Sequence, residues 1–160
     1  MRIMSLPRLA ALVLVALSIG PVLTACGKNA SAGEPPKIVY GKDVCSRCGM
    51  IISEEKFASG IVARDGTSRP FDDPGEMIAT IQEEGLGTNR AWVHDFDTTQ
   101  WIDATKAFYA VSHDVVTSMG TGVVAFSSKA AAITFVASHP GEVMSWDDML
   151  TKWKMMGGMH

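Results

Sequence analysis

The apolar positions of the chain change period from one stretch to the next, and each change marks an element. Leu9 to Ile19 is an apolar run broken only by Ser18, whereas Gly27 to Lys37 has no apolar period at all. Phe57 to Arg64 carries β-type residues and closes on Asp65-Gly66, a hairpin signal, so Ser68 to Phe71 is the predicted return strand. Met77, Ile78 and Ile81 then recur at helical spacing. That helix opens on Asp73-Pro74-Gly75-Glu76, with an N-cap carboxylate, proline at the first helical position and glutamate in the capping-box place, and Gly85 stops it. Ala91 to Phe96, Ala107 to Ser112 and Val123 to Phe126 read as strands. A helix follows from Ser128 to Ser138, ending at His139-Pro140-Gly141, and Glu142 to Met144 is a short strand. Ser145-Trp146-Asp147-Asp148 is a second capping box, leading a helix to about Met155. Hairpins mixed with helices predict an α+β fold in one domain. Phe71-Asp72-Asp73 and Phe126-Ser127-Ser128 both lead from a strand into a helix, an echo that a duplicated strand–helix unit explains.

The first apolar run changes the picture of the N-terminus. Arg2 and Arg8 precede it, Gly20-Pro21 follow it, and Leu23-Thr24-Ala25-Cys26 comes next. Positive charge, short apolar core and small residues in that order describe a secretory leader, residues 1–25, with the lipobox arrangement that places Cys26 for acylation. A spanning helix needs about 20 apolar residues, more than this run offers. Each buried methylene of an acyl chain contributes about 0.8 kcal/mol, so two or more chains anchor a protein stably. The expected organisation is therefore a lipid anchor on Cys26, a flexible tether over 26–42, a domain over 43–154 and a Met-rich tail over 155–160. It places the domain outside the cytoplasm, held to a bacterial membrane and facing the periplasm.

Charge and cysteine count remove several classes. Two of the 14 Lys and Arg lie in the leader and none of the 17 Asp and Glu does, so the formal charge moves from −3 for the whole chain to −5 for the remainder. An acidic domain argues against nucleic acid as a partner. With Cys26 acylated, only Cys45 and Cys48 remain of the three cysteines, which excludes a four-cysteine zinc site within one chain and a disulfide-rich scaffold.

The chemistry concentrates in Cys45-Ser46-Arg47-Cys48-Gly49-Met50. Two thiols and a thioether in six residues form a soft-donor cluster of the kind that selects Cu(I), and Gly49 relaxes the backbone between Cys48 and Met50. Two other readings stay open: a redox Cys-x-x-Cys, which requires an exposed thiol of depressed pKa, and an inert disulfide with Met50 as core. Met119, in the glycine-flanked turn Thr117 to Gly122, looks displayed, whereas Met77, Met144 and Met149 fit core positions. The tail Met155-Met156-Gly157-Gly158-Met159-His160 adds three thioethers and an imidazole, and reads as a solvated terminus. His113 lies six residues before Met119 and is a candidate neighbour; His94 and His139 have nothing beside them in sequence. Asp72 and Asp73 suggest a hard-metal or acid–base pair, of which capping accounts for Asp73 and leaves Asp72 open.

Taken together, the lipobox, the proline-containing tether, the Cys-x-Met knuckle, Trp101-Ile102-Asp103-Ala104, Ala107-Phe108-Tyr109-Ala110-Val111, Met119-Gly120, Val124-Ala125-Phe126 and Ser127-Ser128 resemble the NosL family. These are lipoprotein accessory factors for nitrous oxide reductase assembly, and the resemblance runs from about Asp43 to Trp146. It implies a copper chaperone delivering Cu(I) to the reductase maturation machinery or to another copper acceptor, with two ββαβ-type halves related in fold to organomercury lyase. Cys48, Met50 and Met119 are the implied ligands, with Cys45 and His113 as further candidates and an inter-chain site in a homodimer as a variant of the same chemistry. Cys45 and the Met-rich tail depart from the family pattern. No bond is made or broken by such transfer, so no enzyme is expected; the competing class is a membrane-tethered thiol–disulfide oxidoreductase using Cys45 and Cys48.

Overall fold

The structure, a computed structural model, describes residues 33–154. The leader, Cys26 with the first part of the tether, and the tail 155–160 lie outside the described residues. Seven strands and three α-helices follow in order: β1 (Ser59–Val62), β2 (Ser68–Phe71), α1 (Pro74–Glu84), β3 (Arg90–His94), β4 (Trp101–Asp103), β5 (Phe108–Ser112), β6 (Val123–Phe126), α2 (Lys129–Ser138), β7 (Gly141–Met144) and α3 (Trp146–Thr151). They form two antiparallel sheets, ordered β2-β1-β3-β4 and β6-β5-β7.

The predicted duplication is visible in this topology. In each half a hairpin leads into a helix, and the next strand returns to pair with the first strand of the hairpin: β1-β2-α1-β3 and β5-β6-α2-β7. Phe71 and Phe126 end the equivalent strands β2 and β6, and Asp73 and Ser128 cap the equivalent helices. The halves are joined where Asp95 forms a parallel bridge to Ala125 and its carboxylate accepts the Ser127 amide at 2.7 Å.

Local signals account for the helix boundaries. Asp73 accepts the Gly75 amide at 2.8 Å, Pro74 occupies the first turn, and Gly85 ends α1 at φ +78°. Ser145 and Asp148 form the reciprocal capping box of α3. The larger core gathers Ile52, Phe71, Met77, Ile78, Tyr109 and Met149 between the sheets and α1. A smaller one sets Phe126 against Phe96 and Phe135 under α2, with ring centroids 5.9 and 5.2 Å away.

Several boundaries differ from the sequence expectation. The first strand begins at Ser59, because Glu55–Phe57 is a single 3-10 turn. α3 stops at Thr151 instead of continuing to Met155: the amides of Lys152 and Trp153 both turn back to the Asp148 carbonyl, and Trp153 is buried. Gln82 of α1 donates to the carbonyls of Met149 and Trp153 at 2.8 Å, taking up groups that a longer helix would have used. β4 has no counterpart in the apolar pattern, because its three residues are all half-buried and show no alternation. Packed structure also precedes Asp43, since Pro36 is buried against Gly60, where a Cβ would stand 2.7 Å from its ring. No described helix is long and apolar enough to cross a membrane.

Candidate metal centre

The cysteines sit in a tight knuckle ahead of β1. An antiparallel bridge between Val44 and Ile51 closes its base, the Cys45 amide donates to the Met50 carbonyl at 2.8 Å, and the Gly49 amide donates to the Cys45 carbonyl at 3.0 Å. Gly49 has φ +74°, a left-handed conformation that favours glycine, as its place between Cys48 and Met50 suggested. The Ser46 amide donates to the Pro70 carbonyl at 2.8 Å, fixing the knuckle on β2. Arg47 clamps it to α1 through a bidentate pair with Glu83, both contacts 2.8 Å, and a 3.3 Å bond to the Thr80 hydroxyl.

Four donor atoms converge at this junction. The Cys45 and Cys48 sulfurs and one carboxylate oxygen each from Asp72 and Glu76 all lie within 4.8 Å of one another. Cys45 Sγ stands 3.4 Å from Glu76 Oε2, and Cys48 Sγ stands 3.6 Å from Asp72 Oδ1. Both cysteines are free thiols, Cys45 buried and Cys48 half-buried. Glu76 was expected to complete the capping box of α1. Its side chain instead faces the thiol of Cys45 and comes within 3.9 Å of Arg47 Nε, while Asp73 is engaged elsewhere. Asp72, open in the sequence, is the other carboxylate. Neither could be assigned from spacing, because the knuckle lies 31 residues before Glu76 and only the tertiary fold brings the two together.

The electrostatics follow from burial. Desolvation pushes the Cys45 thiol far up, outweighing the lowering by the amides of Cys48, Asp72 and Arg47. Cys48 is raised too, first by burial, against the Met50 amide that lowers it, with Asp72 and Glu76 adding like-charge repulsion. Glu76 is raised by burial and by Asp72, although the thiols and Arg47 pull the other way. Burial thus favours the protonated forms of Cys45, Cys48 and Glu76, and a bound cation would take the place of those protons. A redox Cys-x-x-Cys needs a depressed thiol pKa, and both thiols are displaced in the opposite direction.

The remaining candidates occupy different surroundings. Met50 is 48% exposed at the rim of the knuckle. Met119 is half-buried, and its turn is bonded to Asp73, the residue after Asp72: the Thr117 and Thr121 hydroxyls donate to the carboxylate at 2.5 Å and the Met119 amide at 3.1 Å. Gly75 permits this approach, since a Cβ there would meet Thr121 at 2.7 Å. His113 is exposed, in a cleft with Val111, Gly120, Thr121 and Trp153, and is not among the converging donors. His94, which has nothing beside it in sequence, is buried, bonded to Tyr40 and Thr99, and its ring centroid lies 3.7 Å from that of Trp101 with the planes tilted by 34°.

No curated protein matches the chain. Among solved structures, the copper chaperone NosL from Shewanella denitrificans is similar in fold, with a TM-score of 0.64 at 19% identity over 79% of this chain and 99% of that one. The sequence pattern of NosL matches residues 36–154, starting at the buried Pro36 and ending where the described structure ends. The chain belongs to the NosL family.

Proposed function

We propose that this chain is a Cu(I) chaperone, anchored by lipid on Cys26 outside the cytoplasm, that hands copper to the maturation of nitrous oxide reductase. The observation that carries the reading is the knuckle itself: two thiols without a disulfide and, in the same knuckle, a half-exposed thioether, with the Met119 turn bonded to the carboxylate next to Asp72. Membership of the NosL family and the copper chaperone of like fold support it. Cys48, Met50 and Met119 are the ligands in this reading, with Cys45 as a further sulfur donor. One thiolate supplies affinity, and neutral thioethers near the surface keep the ion exchangeable. Transfer proceeds by ligand exchange with sulfur or imidazole donors of the acceptor, with no bond made or broken in a substrate.

The test is an anaerobic Cu(I) titration of the intact chain, purified in mild detergent with both thiols reduced, against a chromogenic chelator. One Cu(I) per chain is expected to be withdrawn from the chelator. Cys48→Ser should abolish that tight binding, and Met50→Ala and Met119→Ala should each weaken it. Wild-type protein that fails to compete for Cu(I), or a Cys48→Ser variant of unchanged affinity, would overturn the assignment.

A further inference from the structure

A Cu(I) site built on sulfur leaves two of the four converging donors without a role. Asp72 and Glu76 are 2% and 3% exposed, and both turn carboxylates toward the thiols. Among the described residues, the only hydrogen-bond contacts of the Asp72 side chain are to the Cys48 thiol, at 3.6 and 3.8 Å, too long and too weak to repay burial of a carboxylate. Hard oxygen donors contribute little to Cu(I), whose ligands are soft. They suit a borderline divalent cation, and Zn(II) takes thiolate and carboxylate together in four-coordinate sites.

We propose that Cys45, Cys48, Asp72 and Glu76 form a second, overlapping metal site, of two sulfurs and two oxygens, that binds Zn(II). Tetrahedral zinc holds such donors roughly 3.3–3.8 Å apart, given bond lengths of about 2.0–2.3 Å. The Cys45–Glu76 and Cys48–Asp72 contacts, 3.4 and 3.6 Å, already meet that spacing, and the whole set lies within 4.8 Å. The knuckle supplies the sulfurs, while the first turn of α1 and the residue before its N-cap supply the oxygens. The Cys48 amide points at Cys45 Sγ from 3.5 Å, a hydrogen bond that steadies a metal-bound thiolate. Four ionised donors around Zn(II) leave two negative charges, and Arg47, paired with Glu83 and 3.9 Å from Glu76 Oε1, offsets part of that charge. The two sites share the Cys48 thiol, so Zn(II) on the carboxylate side and Cu(I) on the thioether side exclude each other. The Zn(II) site rests on its own donors and does not depend on the Cu(I) reading.

Co(II) is the probe, because a tetrahedral thiolate site gives it intense visible d–d bands and a sulfur-to-metal charge-transfer band. Titrating the intact, reduced chain with Co(II) should develop that spectrum at one ion per chain, and one equivalent of Zn(II) should bleach it. Asp72→Asn and Glu76→Gln should each weaken Zn(II) by at least about tenfold, the low end of what losing even an outer-shell partner costs, while Cu(I) competition stays unchanged. Met50→Ala and Met119→Ala should do the reverse. Wild-type protein that gives no tetrahedral Co(II) spectrum overturns the proposal, whatever the variants do. So does Zn(II) affinity indifferent to both carboxylate changes. Cu(I) binding lost without change in Zn(II) would sink the chaperone reading alone.

Discussion

The Met119 amide donates to the Asp73 carboxylate across 3.1 Å, 46 residues along the chain from its partner. The same carboxylate caps α1 through Gly75 and accepts the hydroxyls of Thr117 and Thr121. One buried side chain thus fixes the start of a helix and holds the methionine turn of the other half against it.

Asp73→Ala removes an N-cap and strands several buried donors at once. Losing the cap costs about 1 kcal/mol, and hydrogen bonds to a charged group add about 1.5–3 kcal/mol. Thermal unfolding should begin roughly 10 °C lower or more. A Tm within a few tenths of a degree of wild type would show that the turn is held by other contacts. Asp73→Asn, which keeps an acceptor, should fall between the two.

Tyr109 is buried in the main core, and its hydroxyl donates to the Ala104 carbonyl at 2.7 Å. Tyr109→Phe keeps the ring and removes that bond, leaving the carbonyl only the long 3.4 Å contact from the Ala107 amide, a loss of about 1 kcal/mol. The urea midpoint should drop while the slope of the transition stays unchanged. A changed slope would point to an altered denatured or native state.

His94 ties stability to pH. Its Nδ1 lies 2.7 Å from the Thr99 carbonyl and must carry the proton, so Nε2 accepts from the Tyr40 hydroxyl at 3.0 Å. Burial holds its folded pKa below the ordinary histidine value, more than the Thr99 carbonyl and Glu55 raise it. The unfolded chain therefore binds the proton more readily. The stabilising contribution is complete above about pH 6.5 and is lost as pH falls from there through the lower folded pKa. Chemical denaturation across that range should show the decline, and His94→Gln should flatten it. An equally steep decline in the variant would assign it to other groups.

Thiol reactivity distinguishes the two cysteines. Both have raised pKa values, so alkylation near neutral pH should be slower than for a free cysteine and should quicken as pH rises. Cys48, half-buried, should react before Cys45, which is 2% exposed. Iodoacetamide labelling read by peptide mass spectrometry gives the order. Cys45 labelled first would contradict the packing of the knuckle.

The features legible in the sequence are those whose cause is local. Asp73-Pro74 starts α1 and Gly85 stops it because capping geometry involves neighbouring residues only. Ser145 and Asp148 cap α3 for the same reason, and Gly49 bends the knuckle because its own backbone must. The paired Phe-Asp-Asp and Phe-Ser-Ser transitions announced the two halves, since each marks the same strand-to-helix step.

What depends on distant partners could not be read that way. Glu76 sits at a capping-box position, and by sequence alone that role is complete; the fold instead lays Cys45 against it. Asp72 has meaning only once Cys48 faces it from 24 residues away. His94 stands alone in the sequence and is satisfied from both sides in the structure, by Tyr40 from 54 residues away and by Thr99. The sequence by itself located the sulfur donors of the knuckle, the starts of the helices, and an echo between two strand-to-helix steps. Only the tertiary structure decided which carboxylates join the thiols. A helix presents its side chains to whatever packs on it, and hydrophobic burial, not local propensity, chooses that neighbour.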